Sequence, residues 1–256
     1  MSKLIYRKEK KQFFEDTGRE VTIIKQREYF IKDISNDFHT ENGVISKADL
    51  KKKTSINSSM GTEFQIIDTS FIDVYKRIKR IAQIIPRKDV GYLIAETGIG
   101  KGSVIVDAGS GSGGLSLFLA NIAKKVTTYD IKKEHVALVN ENIKFLNLKN
   151  VIAKEHNIYD GIEDKNVDVF TLDLPEPWKV LPHAVKSLKQ GGFIVSYSPC
   201  IPQVADFVNA LVNNENFIHI KTIEVIEREW EVSGRKVRPK SKMMGHSGFL
   251  SFVRKI

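Results

Sequence analysis

The chain has 256 residues, 41% of them hydrophobic, and a formal charge of +9, enough for one large globular domain and a small one. No segment approaches the roughly 18–20 uninterrupted apolar residues of a membrane span, and the basic start "MSKLIYRKEKKQFF" lacks the apolar core and cleavage site of a secretory signal. Cys200 is the single cysteine, which excludes an internal disulfide and a thiolate-rich metal site and leads us to expect a cytoplasmic address, away from membranes.

Up to about residue 68 the pattern is strand-like. "REVTIIKQREYFIKDI" alternates apolar and polar residues in two runs, and "FHTENGVIS" carries an Asn-Gly turn signal. Residues 70–82, "SFIDVYKRIKRIA", place Phe71, Val74, Tyr75, Ile78 and Ile81 at helical spacing, which predicts a connecting helix. The expected organisation is a small β-rich domain over 1–68 and a larger domain over 69–256, whose segment 69–101 is the connecting helix and a covering stretch.

From Gly102 the pattern becomes α/β. "GSVIVDAG" is an apolar run of the kind buried on both faces. It is followed by helical "LSLFLANIAKK", strand "VTTYDI", helix "EHVALVNENIKFLN", and strands "NVIAKEHN" and "NVDVFTLDLP". Helix "LPHAVKSLK", strand "GFIVSYSP", helix "PQVADFVNALVNN", the long strand "FIHIKTIEVIEREWEV" and a final strand "GFLSFVRK" complete the chain. Alternating strands and helices predict a parallel sheet covered on both faces. The last two strands lack a helix between them and are expected to form an antiparallel hairpin at one edge.

The positive charge is clustered at Lys3, Arg7, Lys8, Lys10 and Lys11, at Lys51–Lys53, at Lys76, Arg77, Lys79 and Arg80, and at Arg235, Lys236, Arg238, Lys240 and Lys242. One such run alone is an ordinary solvated face. Four of them suit a polyanion such as nucleic acid.

Between the first strand of the larger domain and its helix lies "VDAGSGSGG". Glycines 109, 111 and 113 allow a tight turn and close approach of backbone amides to a ligand. This pattern alone is shared by dinucleotide dehydrogenases and methyltransferases. Its G-x-G-x-G spacing departs from the dinucleotide fingerprint, and Asp107 before it suits a ligand carrying an amine, as S-adenosylmethionine does. Asp130 ends the second strand about 20 residues on, where a carboxylate accepts ribose hydroxyls or caps the next helix. Together these features indicate a class I, Rossmann-like, S-adenosylmethionine-dependent methyltransferase domain.

"DVFTLDLPEPWKVL" ends the fourth strand in Asp173, at the edge of the sheet where ligands bind. Methyl transfer to nitrogen needs the lone pair in line with the methyl, and something to offset the positive charge that develops on the acceptor. A fixed carboxylate bonded to an adjacent amine does both. Pro175 and Pro177 hold the following backbone extended, and Trp178 offers a face for stacking on a base or for packing. No histidine has a partner at metal-ligand spacing. His135 reads as a surface residue and Cys200 as a small packed one.

These residues carry a family resemblance. "DLPEPW" resembles the D-[LM]-P-x-P-W motif of the tRNA adenine-N1 methyltransferases that act at adenine 58 of the T-loop, and in archaeal members also at adenine 57. "FHTENGVI", "QIIPRKDVGYLI", "DAGSGSGGLSLFLA" and "IEREWEV…RPKSKMMGHSGFL" are similar to further segments of that family, so the likeness runs from about residue 16 onward. It implies an S-adenosylmethionine-dependent enzyme, usually a homotetramer, with a small β domain ahead of the methyltransferase fold. Asp173 would be the catalytic carboxylate, contacting the adenine amino group while N1 is methylated. Gly109, Ser110, Gly111, Ser112, Gly113, Asp130 with Ile131, the His156–Asn157 pair and Asp173 itself would hold the cofactor, with Asp107 and Gln83 near it. Pro175, Trp178, Arg238 and His246 would face the RNA. The chain departs from the family pattern at Pro86-Arg87, at His156-Asn157, where Gly-Asp is usual, and at Asp130, where glutamate is commoner; the second departure implies weaker cofactor binding at most. Two alternatives stand beside this reading: methylation of another nucleic acid or of a protein nitrogen, and a non-catalytic tRNA-binding subunit.

Overall fold

The structure, a computed structural model, describes residues 2–52 and 54–256; Met1 and Lys53, the last member of one basic run, lie outside the described residues. It separates into two compact units, Met1–Arg77 and Ile78–Ile256.

The first unit is built on a four-stranded antiparallel sheet. In chain order its strands are β1 (Lys3–Arg7), β2 (Lys10–Phe14), β3 (Arg19–Ile24), β4 (Arg27–Ile31), β5 (Phe38–Thr40), β6 (Gly43–Ile45), β7 (Ser55–Asn57) and β8 (Glu63–Asp68). The sheet runs β4-β1-β8-β7, while β2-β3 and β5-β6 are separate two-stranded ribbons. Ile5, Ile31, Phe64 and Ile66 close the core with Ile45, Leu50 and Ile56. The Asn-Gly signal yields the expected hairpin: Thr40 pairs with Gly43, so Glu41 and Asn42 form the tip. Glu41 Oε1 accepts hydrogen bonds from Arg7 (3.1 Å), Arg27 (2.7 Å) and Tyr29 (2.7 Å), which gives the buried Arg7 a counter-charge.

The helix expected over 70–82 is a single turn, α1 (Phe71–Tyr75), opened by a reciprocal Ser70–Asp73 capping box. It stops because the following amides find better acceptors than the carbonyls four residues back. Lys79 N–H donates to Asn142 Oδ1 (3.0 Å), and Ile81 and Ala82 N–H both donate to Ser112 Oγ (3.0 Å). The apolar spacing is present, but Ile81 is exposed.

The second unit begins with α2 (Arg87–Thr97), followed by β9 (Val104–Ala108), α3 (Gly114–Ala120), β10 (Lys125–Asp130), α4 (Lys133–Leu146), β11 (Val151–Glu155) and β12 (Val167–Leu172). It continues with α5 (Leu181–Ser187), β13 (Leu188–Ser198), α6 (Ile201–Asn209), β14 (Phe217–Glu224), β15 (Trp230–Ser233), β16 (Lys236–Pro239) and β17 (Phe249–Lys255). Seven strands form one sheet in the order β11-β10-β9-β12-β13-β17-β14. The first five are parallel, and β17 pairs antiparallel with both β13 and β14. Alternate residues of each strand face opposite ways, so the sheet carries two cores. Ile105 and Phe252 meet Val90, Leu117 and Val139 on one face. Val106 and Val253 meet Leu181 and Phe207 on the other.

The long strand expected over "FIHIKTIEVIEREWEV" is broken. β14 ends at Glu224 opposite Phe249, where β17 begins, so the chain beyond it has no partner strand, and Trp230–Ser233 pairs instead with Lys236–Pro239 in an isolated hairpin. The break is fixed by a buried ion pair. Lys88 Nζ donates to Asp89 (2.9 Å), to the carbonyl of Val225 (2.6 Å) and to Ser247 Oγ (2.6 Å), which in turn donates to Asp89 Oδ2 (2.9 Å). The side chains of Lys88 and Asp89 are 8% and 0% exposed. Asp89→Ala strands the lysine charge without a carboxylate, and chemical denaturation should show a loss of about 3–5 kcal/mol. Cys200 differs from expectation: it precedes α6 and is exposed, because the chain leaves the sheet at Ser198 before the cysteine is reached.

Candidate active site

Strand β9 is flanked by β10 on one side and β12 on the other, and the chain order reverses there, so the carboxyl ends of these strands open a crevice. A cavity of about 460 Å³ lies at that point, within the range of small-ligand sites. Gly109, Gly111, Asp130, Ile131, His156, Asn157, Asp173 and Pro175 line it, as the sequence led us to expect, and so do Tyr129, Lys132, His135, Ile158, Tyr159 and Leu174.

The glycine loop follows β9. At Gly109, with φ +86°, a Cβ would lie 2.1 Å from the carbonyl oxygen of Asp173, so only glycine lets the loop pass against the end of β12. The remaining loop residues expected at the site sit beneath it rather than in it. Ser110 is buried and donates to Asp130 Oδ2 at 3.3 Å. Ser112 is buried and takes the amides of Ile81 and Ala82, while Gly113 opens α3 against Leu117 and Val139.

Asp107 also lies below the cavity. It is buried, and its register partners on the neighbouring strands are Thr128 and Thr171. Both hydroxyls donate to it, at 2.6 and 2.7 Å, so the carboxylate joins the three central strands. Burial pushes its pKa up to about 6, against the pull of the two hydroxyls.

Asp130 is dense with contacts. Oδ2 accepts from Gly111 N–H (3.0 Å) and meets His135 Nδ1 (2.9 Å), while Oδ1 accepts from Lys132 N–H (2.9 Å). Its pKa is lowered: burial would raise it, but these donors outweigh burial. It does not cap α4, whose N-cap is Lys132. His135, expected at the surface, is half-buried on the cavity wall, brought to Asp130 by the short turn between β10 and α4. Asn157 caps a short turn, its Oδ1 accepting from Tyr159 N–H at 3.2 Å, and His156 Nε2 reaches the carbonyl of Gly161 at 3.0 Å.

Asp173 is held by its backbone, which donates to the carbonyl of Ala108 at 2.9 Å. Among the described residues no group hydrogen-bonds its carboxylate. Asp173 is exposed at the cavity mouth, with low-dielectric wall packed behind it; that partial desolvation first, and then the like charge of Asp107, push its pKa up to about 6. An unpaired carboxylate in a cleft is poised for a partner from outside.

The other expected residues lie away from this cavity. Gln83 is exposed and does not line it, although its neighbours Ala82 and Ile84 pack against the glycine loop at Gly111 and Gly114. Pro86 is the N-cap of α2. Trp178 packs half-buried against the second core. Arg238 pairs with Glu231 in the β15–β16 hairpin at 3.2 Å. His246 contacts Glu224 at 2.6 Å and the carbonyl of Pro199 at 2.9 Å; the carboxylate first, then the carbonyl, raise its pKa.

Strand order, glycine loop and the carboxylate ending β10 define a class I methyltransferase fold. A family model described as the tRNA methyltransferase complex GCD14 subunit matches residues 75–242. A tRNA (adenine(57)-N(1)/adenine(58)-N(1))-methyltransferase TrmI of Methanocaldococcus jannaschii is 35% identical over 258 residues, covering 89% of this chain and 91% of its own. A tRNA (adenine(58)-N(1))-methyltransferase TrmI of Thermus thermophilus is 32% identical, covering 78% and 80%. The chain belongs to this family of tRNA methyltransferases. Among solved structures, a SAM-dependent O-methyltransferase from Thermotoga maritima superposes with a TM-score of 0.78 at 26% identity, covering 99% of this chain and 92% of its own. The tRNA (m1A58) methyltransferase TrmI of Aquifex aeolicus shares the fold with a TM-score of 0.77 at 22% identity, covering 100% and 97%.

Proposed function

We propose that the protein is a tRNA adenine-N1 methyltransferase that transfers a methyl group from S-adenosylmethionine to adenine 57 or 58 of the T-loop, working in the cytoplasm as a homotetramer. The observation that carries this is the unpaired Asp173 carboxylate at the edge of a ligand-sized cavity.

The residues fit the cofactor. Asp130 Oδ1 takes only the Lys132 amide and keeps a lone pair for a ribose hydroxyl. Asn157 Oδ1 likewise has one lone pair beyond its turn hydrogen bond. Ile131, Ile158 and Leu174 supply apolar wall. When bound, S-adenosylmethionine supplies a methyl group on a sulfonium, ready for attack by a nitrogen lone pair. The chain's part is orientation and charge. Ionised Asp173 accepts a hydrogen bond from the exocyclic amine of adenine, which turns N1 toward the cavity, and attracts the base more strongly as positive charge grows on it. In the excursion between β14 and β17, Arg235 and Lys242 have no acidic partner among the described residues, and they suit phosphates.

One feature supports self-association and another the compartment. Trp230, Val232 and Val237 are 55, 71 and 59% exposed on the β15–β16 hairpin, and a two-stranded ribbon with an apolar face is marginal without cover. The exposed Cys200 suits a reducing compartment.

Since only the ionised carboxylate works, activity should rise with pH. Below about 6 the acid form dominates and kcat/KM should fall roughly tenfold per pH unit, levelling above about pH 7. A profile flat from about pH 5 to 8 would remove Asp173 from the mechanism. To test the function itself, the protein is incubated with unmodified tRNA transcript and S-adenosylmethionine, and the products are mapped by mass spectrometry. N1-methyladenosine in the T-loop is expected; tight tRNA binding with no methyl transfer to any RNA would replace the enzyme by a binding subunit.

A further inference from the structure

We propose that Gln203 is the positioning residue that aims the Asp173 loop, an inference that rests on the methyl-transfer reading of this site and adds a part to it. The loop cannot fix itself. Pro175 and Pro177 have no N–H to donate, so the carbonyls and the remaining amides of "DLPEP" need partners from elsewhere. The Asp173 amide is taken by the carbonyl of Ala108 (2.9 Å) and the Glu176 amide by the hydroxyl of Tyr159 (3.2 Å). Two successive carbonyls, Leu174 and Pro175, are both taken by Gln203 Nε2, at 2.6 and 2.8 Å.

Two acceptors at one end of an amide settle its orientation: only the NH2 group suits them, and both of its hydrogens are used. The residue stands in the first turn of α6, which is anchored through Val204 and Phe207, 8% and 0% exposed. The donor therefore stands on a rigid element. Leu174 and Pro175 line the same cavity as Asp173, so the point at which their carbonyls are held sets the direction of the Asp173 carboxylate. Displacement of a reacting group by about 1 Å costs on the order of a hundredfold in rate.

Gln203→Glu keeps the shape and replaces the two donors by an acceptor facing two carbonyls. In the full-length protein its kcat for tRNA methylation should fall about 10–100-fold, with Gln203→Ala close behind. Both variants should bind one S-adenosylhomocysteine per folded chain by calorimetry, within about threefold of the wild-type affinity, with KM for tRNA little changed. Gln203→Lys, which restores N–H donors, should recover most of the loss. Wild-type kcat in Gln203→Glu, or a loss matched one for one by a loss of S-adenosylhomocysteine sites, overturns the proposal. Inactive wild-type protein would overturn the functional reading and this inference with it; an active wild type separates the two.

Discussion

Asp173→Ala should bind S-adenosylhomocysteine within about threefold of wild type while methyl transfer to tRNA falls roughly 10²–10³-fold, the usual loss when one preorganised electrostatic contact at the reacting centre is removed. The separation of binding from rate follows from where the side chain sits. The glycine loop, Asp130 and Asn157 line the cavity independently of the Asp173 carboxylate, which accepts no hydrogen bond among the described residues, while the Asp173 backbone amide is tied to Ala108. Asp173→Asn is the sharper comparison, because it keeps the volume and removes the charge. If the developing charge matters, asparagine should be nearly as poor as alanine. Recovery of more than half the wild-type rate in Asp173→Asn would mean that orientation alone suffices, and single-turnover kinetics distinguish the two results.

Gly109→Ala should be the most damaging single methyl group in the domain. The added carbon would lie 2.1 Å from the carbonyl oxygen and 3.0 Å from the carbonyl carbon of Asp173, at φ +86°, and neither atom belongs to a flexible side chain. Backbone strain and overpacking together suggest a loss of about 2–5 kcal/mol, and relief by moving the loop would weaken S-adenosylhomocysteine by more than about tenfold. Gly102→Ala is the control, with open space around its Cβ and an expected change within about 0.5 kcal/mol. Thermal melts of both variants, with and without S-adenosylhomocysteine, give both quantities. A Gly109→Ala protein that melts with wild type would show that the loop yields easily.

What the sequence revealed and what it hid divide along physical lines. Strand and helix types in the second unit were legible because buried runs such as "SVIVDA" and helical spacing such as "EHVALVNENI" are local signals. The strand order was legible only through the motifs set between those elements. The length of α1 was not, since the amides of Lys79, Ile81 and Ala82 find acceptors in Asn142 and Ser112, remote in sequence. The break after Glu224 was hidden for a similar reason: β17 offers no residue to pair with beyond Phe249. In the site, Asp107 and Asp173 look alike as strand-end carboxylates. Asp107 is inside its strand and shares a face with Thr128 and Thr171, and Asp173 is one residue past its own. Strand registers decide between them, and a single sequence does not state those. Gln203 carried no signal, because a glutamine in the first turn of a helix is unremarkable until the carbonyls it meets are known.

The gripped neck of the stretch between Val225 and Ser247 has an engineering consequence. Both of its ends are tied down, to Lys88 and Asp89 inside the fold and through Glu224 and His246 outside it. What lies between hangs from a closed ring, and lengthening such a loop costs the fold little entropy. A protease nick at the β15–β16 tip, or exchange of the hairpin for that of a relative, should therefore leave the sheet and its melting temperature intact.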